Sequence, residues 1–195
     1  MPPDPPNVPS AIIVMGVSGS GKSTIAALLA NRLGWTYEDA DWFHPPENVE
    51  KMHSGQPLTD EDRWTWLQAI AAHIDRTRPD GTRCIIACSA LKRAYRDVLI
   101  GSRRDVRLVY LKGSRDLIAR RMAVRHGHFM PLSLLDSQFR TLEEPTEDEH
   151  AVVVSIEPRP AKIVDTIVAQ LGLEVPHDEV ARATKLRTIA TVSPR

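Results

Sequence analysis

Between residues 16 and 23 the chain reads Gly16-Val17-Ser18-Gly19-Ser20-Gly21-Lys22-Ser23, with Gly16, Gly21, Lys22 and Ser23 at the G-x-x-x-x-G-K-[ST] spacing. Glycines so placed let the backbone curl until the N–H groups of Ser18, Gly19, Ser20, Gly21 and on through Thr24 converge, and converging N–H groups hold a phosphate. Lys22 then reaches the β- and γ-phosphates of a nucleotide, and the Ser23 hydroxyl is offered to Mg2+. The competing reading is a glycine-serine turn that only joins two elements. Context favours phosphate: the apolar run Ala11–Met15 precedes the loop and a helical pattern, Lys22–Leu33, follows it. A helix N-terminus there adds its positive dipole end to the same point.

A second cluster is acidic. Asp39 and Asp41 stand two apart at the end of a β-prone run, and in extended chain such residues point the same way. Beside a phosphate loop, one carboxylate suits Mg2+ held through water and the other an acceptor hydroxyl, with Asp39 expected on the metal and Asp41 on the hydroxyl. Alone, the pair reads as a solvated turn. Arg63, near a helix start, is as readily an ion-pair partner of its acidic neighbours. Arg120, Arg121 and Arg125 lead into Gly127-His128-Phe129-Met130-Pro131, a segment suited to closing as a lid. Closure would bring the charges of Arg121 and Arg125 to a transferring phosphoryl group, although a surface stripe has the same helical spacing. His126 and His128 have no acidic or thiol neighbours in sequence, which argues against a metal site there.

These groups need a frame, and the pattern supplies one. Short β-branched runs (Ala11–Met15, Trp35–Glu38, Arg83–Cys88, Val106–Leu111, Ala151–Ser155) alternate with helical ones (Lys22–Leu33, Asp60–Arg76, Lys92–Ile100, Ser114–Arg125, Pro160–Leu171). That alternation predicts an α/β fold with a parallel sheet, whose ligands bind at the carboxyl ends of the strands. Thr59 and Ser114 are expected N-caps, and Gly34 and Gly172 helix stops. The organisation expected is a proline-rich disordered arm over residues 1–10, one domain over 11–173 and a polar tail over 174–195. The size, 195 residues with 42% hydrophobic, fits one domain. Basic and acidic residues balance at 25 each, so no net field draws the chain to nucleic acid or an anionic membrane. No apolar run is long enough to span a bilayer, and a cytoplasmic protein with reduced thiols at Cys84 and Cys88 is expected.

Taken in order, the segments resemble the P-loop gluconokinases. The resemblance rests on Gly16 to Thr24, Asp39-Ala40-Asp41 with His44, and Asn48 with Lys51-Met52. It continues through Pro57-Leu58 with Asp60, Asp62-Arg63 and Trp66-Leu67, then Cys88 to Arg93 with Tyr95-Arg96-Asp97. His128-Phe129-Met130, Leu134-Leu135, Ser137-Gln138 and Leu142-Glu143 complete it, so that about residues 12–171 are covered. The GTPase stretches Asn-Lys-x-Asp and Asp-x-x-Gly are absent. Where nucleoside-monophosphate kinases carry Asp-Gly-Phe-Pro-Arg and shikimate kinases a glycine run, this chain reads Cys88-Ser89-Ala90-Leu91-Lys92.

The resemblance implies a P-loop NTPase fold with a five-stranded parallel sheet flanked by helices, a mobile lid, Mg2+·ATP as donor, gluconate as acceptor and a homodimer. Such a substrate needs a cationic fork for its carboxylate and neutral groups along its hydroxyls. Arg63 and Arg93 are the candidates for the fork, because a planar guanidinium gives two parallel hydrogen bonds. His44 is the candidate for the polyol, Lys92 and Arg96 are further candidates, and Gln138 is carried over as a substrate residue. Arg159 is expected against adenine by analogy of fold. The alternatives left open are a kinase of another hydroxy acid, such as shikimate, and a nucleotide-sensing protein without turnover.

Overall fold

The computed structural model describes residues 8–124 and 132–176, with the side chains of 124, 132 and 133 excepted. Five strands, β1 (Ala11–Met15), β2 (Thr36–Asp39), β3 (Cys84–Ala87), β4 (Val106–Lys112) and β5 (Val152–Ser155), form one sheet in the order β2-β3-β1-β4-β5. Every pairing is parallel, with Ala11 opposite both Cys84 and Val106. Between the strands run α1 (Lys22–Leu33), α2 (Pro46–His53), α3 (Asp60–Thr77), α4 (Arg93–Leu99), α5 (Arg115–Val124), α6 (Leu132–Thr141) and α7 (Pro160–Gln170). The expected fold class and all five strands are present, β1 with the expected ends and the others with ends shifted by at most one residue.

β1 lies at the centre and is buried on both sides, which is why its sequence is apolar throughout rather than alternating. Ile12 and Val14 face α1 and α7, meeting Ile25, Leu29, Ile163 and Ile167. Ala11, Ile13 and Met15 face α3 and α4, meeting Leu67, Ile70, Tyr95 and Leu99. Each of these larger aliphatic side chains contributes about 1.5–3 kcal/mol by leaving water.

Helix ends follow the expected chemistry. Thr59 caps α3 in a reciprocal box with Asp62, and the Ser114 hydroxyl accepts from the Leu117 amide at the start of α5. Gly34 ends α1 in the left-handed region, and Gly172 follows α7 with φ +60. Two helices went unforeseen. Helix α2 is two turns opened by Pro45-Pro46, and α6 follows the expected lid segment, residues 127–131, which lies outside the described residues. Both cysteines are free and buried. Ser10, assigned to the arm, donates from its amide to the Asp105 carbonyl and accepts from the Cys84 amide.

Arg96 gives the clearest departure. Considered for substrate, it is instead only 2% exposed. Its guanidinium makes a two-pronged pair with Glu149 (2.5 and 2.8 Å) and donates to the carbonyls of Ala90, Leu91 and Glu143. All five donors of a planar fork suit such a cluster of acceptors. It therefore fixes the turn after β3, where Ala90 holds a φ of +44. Removing one partner strands a buried charge, so Glu149→Ala is expected to cost about 3–5 kcal/mol, read from urea unfolding. A loss below about 1 kcal/mol, the scale of an exposed pair, would show that the pair is not structural.

Candidate active site

The loop from Gly16 to Lys22 emerges from the carboxyl end of β1 and runs into α1. Gly16 has φ +148, and a Cβ there would meet the Leu111 carbonyl at 3.1 Å. Gly19 has φ +80, and its Cβ would press on Met122 and Ile118 of α5 at 2.9–3.0 Å. Both positions demand glycine on two grounds, backbone conformation and space. Ser20 is 1% exposed, and its hydroxyl lacks a hydrogen-bond partner among the described residues. An orphaned buried donor inside a curl of amides fits a phosphate oxygen.

Lys22 lies at the first position of α1, its ammonium donating to the Val17 carbonyl at 3.1 Å. Burial pushes its pKa below the usual lysine value, opposed by Cys88, Asp41 and Asp39. The lysine therefore feels the acidic pair across the cleft. Ser23 and Thr24 are exposed in the first turn. The Ser18 amide donates to Gln138 Oε1 at 2.6 Å, so α6 is bonded to the loop itself. Gln138, carried over as a substrate residue, is thus seen on the phosphate loop.

Asp39 ends β2 and caps the 3-10 turn Ala40–Phe43, accepting from the Asp41 amide at 3.1 Å. Its other oxygen accepts from the Tyr37 hydroxyl at 2.9 Å. Burial pushes the Tyr37 pKa up to about 12. Sequence reasoning missed Tyr37, although its i, i+2 spacing from Asp39 signals a shared face. Asp41 is 83% exposed at its side chain, and its pKa is raised, first by desolvation at the cleft wall and then by Asp39. The Ser23 hydroxyl in the first turn of α1 and the Asp39 carboxylate at the end of β2 are oxygen donors of the kind that fits Mg2+ beside phosphate.

His44 is tucked against Trp66 in a parallel stack with centroids 4.4 Å apart, its Nε2 lying 3.9 Å from Asp41. Of the two arginines expected as a carboxylate fork, Arg93 is committed elsewhere. It contacts Asp97 at 2.8 Å and Asp148 at 2.9 Å, of which only Asp97 is near enough in sequence to be foreseen. Arg63 has only a 3.5 Å contact with Asp60 and lies over the Tyr95 ring. Lys92 bonds Asp60 at 2.6 Å.

A cavity of about 540 Å3 adjoins the loop, lined by Gly19, Gly21, Thr24 and Ile25 on one side and by Arg120, Arg121, Pro158, Pro160 and Ile163 on the other. Arg121 donates to the Ile156 carbonyl at 2.5 Å. Arg159, expected against a base, is exposed at the N-cap of α7, and its proline neighbours line the cavity instead. Arg125 lies outside the described residues.

A phosphate-binding loop at the carboxyl edge of a five-stranded parallel sheet, with acids facing its lysine, defines a P-loop kinase. A family profile described as an AAA domain matches residues 12–145. A gluconokinase of Gluconobacter oxydans is 44% identical over 166 residues, spanning 85% of this chain and 93% of its own. The crystal structure of a gluconokinase from Sinorhizobium meliloti 1021 superposes with a TM-score of 0.76 at 41% identity, over 92% of this chain and 98% of that one. Shikimate kinase from Aquifex aeolicus, at 19% identity and a TM-score of 0.54 over 83% of this chain and 96% of its own, shares the fold. The chain belongs to the gluconokinase family.

Proposed function

We propose that the protein transfers the γ-phosphoryl group of ATP directly to the 6-hydroxyl of D-gluconate, giving 6-phospho-D-gluconate and ADP. Family membership names the reaction, and one observation in the site carries it. Val14, just before the phosphate loop, and Asp39 both stand opposite Ala87 of β3, so the loop and the acidic pair meet at one carboxyl edge of the sheet. The loop amides from Ser18 to Thr24 and the Ser20 hydroxyl hold the phosphates, and the base lies between Ile25, Pro158, Pro160 and Ile163. Lys22 and Arg121 neutralise charge on the transferring group, with Arg125 joining them in the proposal. Asp41 aligns the acceptor oxygen and takes its proton, while Ser23 and Asp39 would hold Mg2+, which would supply positive charge against the phosphates. His44 bonds the hydroxyls.

Arg63 takes the gluconate carboxylate. Loss of a charge-assisted contact costs about 1.5–3 kcal/mol, so Arg63→Ala is expected to raise the gluconate KM at least tenfold and leave the ATP KM near its parental value. Arg93→Ala, which removes contacts to Asp97, Thr146, Asp148 and Glu149, should leave both constants near parental. Equal gluconate KM values in the parent and Arg63→Ala would move the carboxylate elsewhere.

ADP release coupled to a dehydrogenase pair tests the whole reading. Release that depends on gluconate supports it, release only with another hydroxy acid reassigns the acceptor, and nucleotide binding without release makes the protein a sensor. The proposal also takes the enzyme to be a cytoplasmic homodimer, which light scattering on the purified chain checks for assembly. No helix among the described residues is long and apolar enough to cross a membrane.

A further inference from the structure

We infer that Asn48 is a positioning residue that fixes the proton of His44 on Nε2, so that the ring presents an N–H donor to the acceptor site beside Asp41. The inference deepens the role proposed for His44 and rests on that reading only for the identity of the acceptor. Asn48, on α2, is 3% exposed, and its Nδ2 lies 2.8 Å from the Asp62 carbonyl and 3.4 Å from His44 Nδ1. A backbone carbonyl only accepts, so the atom of Asn48 facing it must be the NH2 group; the amide cannot be turned over. The second hydrogen of that NH2 is the one directed at Nδ1, and a ring nitrogen facing a donor must be bare. A neutral imidazole with bare Nδ1 carries its hydrogen on Nε2. That nitrogen lies 3.9 Å from Asp41 Oδ1, too far for a direct bond and spaced to share an intervening oxygen.

The groups packed around the ring agree with a neutral donor. Trp66 of α3 stacks flat on it and is itself held by a 2.6 Å bond from its indole N–H to the Ala40 carbonyl. Burial pushes the His44 pKa down, Asp41 from the 3-10 turn opposes this, and Arg63 from α3 reinforces it. A second proton on the ring would put N–H on Nδ1 against the NH2 of Asn48, two donors face to face. Lys51 holds Asp62 at 2.6 Å through its carboxylate, which keeps the N-terminus of α3 beside α2 and the reference carbonyl in place. The buried asparagine thus ties the end of one helix to the protonation state of a ring in the site.

Long-range nitrogen–proton correlation spectra of the full-length 15N-labelled protein test this without substrate. The expected result is His44 with bare Nδ1 and protonated Nε2, the ring staying neutral to a pH below the usual imidazole midpoint. In Asn48→Ala the tautomers should mix and the midpoint should rise. The gluconate KM should increase about three- to tenfold, the scale of one hydrogen bond, with the ATP KM unchanged. In Asn48→Asp a carboxylate faces Nδ1, so the doubly protonated ring should persist to higher pH and the acid limb of kcat/KM should move up with it. A parental spectrum showing Nδ1–H, or an Asn48→Ala spectrum with parental tautomer and midpoint, would overturn the inference. Should Asn48→Ala not fold, the parental spectrum still decides. The expected spectra without gluconate turnover would overturn the substrate reading and leave the role of Asn48 intact.

Discussion

Lys22→Ala is expected to yield a folded protein whose phosphoryl transfer is slower by about two to three orders of magnitude, the scale for removing one group aimed at transition-state charge. The ammonium has no carboxylate partner within ion-pair distance among the described residues and bonds only the Val17 carbonyl. Burial disfavours its charge, so truncation removes a desolvated cation from the free protein and should not lower its melting temperature. In the proposed transfer the same cation stands between β- and γ-phosphate oxygens, where no other residue of α1 is placed to replace it. The comparison to make is single-turnover rate against thermal midpoint for parent and variant. Near-parental turnover in a folded sample would remove the loop from the reaction.

Asp41→Asn is expected to lower kcat by about a hundredfold or more with the ATP KM little changed. A loose transition state asks little activation of the nucleophile, so in the proposed mechanism the carboxylate aligns the oxygen and receives its proton once the P–O bond forms. Asparagine keeps the size and loses the basicity. Asp39→Asn should behave differently. Asparagine caps as well as aspartate, so the bond to the Asp41 amide and the 3-10 turn should survive. What is lost is the charge on Asp39 at the proposed metal site, and excess Mg2+ should partly restore the rate. A Mg2+ titration of kcat for both variants separates the roles. Rescue of Asp41→Asn alone would exchange them, and full activity of both at low metal would reduce the pair to a solvated turn.

The parts of the site legible in sequence are those whose spacing is fixed by local geometry. Gly16 to Ser23 reads as a loop because the curl needs glycine at set places, and Asp39 with Asp41 reads as a pair because a strand repeats every two residues. The unread parts depend on what arrives from far along the chain. Nothing near Arg96 in sequence announces Glu149, which comes from beyond α6 and converts a basic helix start into a buried pair. Arg93 was expected at the substrate for its fork and is drawn away by Asp148 from the same distant turn. Asn48 and Tyr37 went without roles because each matters through a third residue. Helix α2 was missed because its two prolines mask eight helical residues, and proline at a first helical turn is permissive rather than forbidding.

The central place of β1 has a cost during synthesis. Ala11–Met15 is translated before both of its sheet neighbours, Cys84–Ala87 and Val106–Lys112, which follow about seventy and ninety residues later. Until then a fully apolar strand with two open hydrogen-bonding edges waits unpaired, the kind of segment that recruits other chains. The flanking proline-rich stretch, which cannot extend a strand, limits how far such pairing can spread towards the N-terminus. Nascent chains halted before Val106 should therefore be aggregation-prone and chaperone-bound, while those released after Lys112 have both partners of β1 in hand.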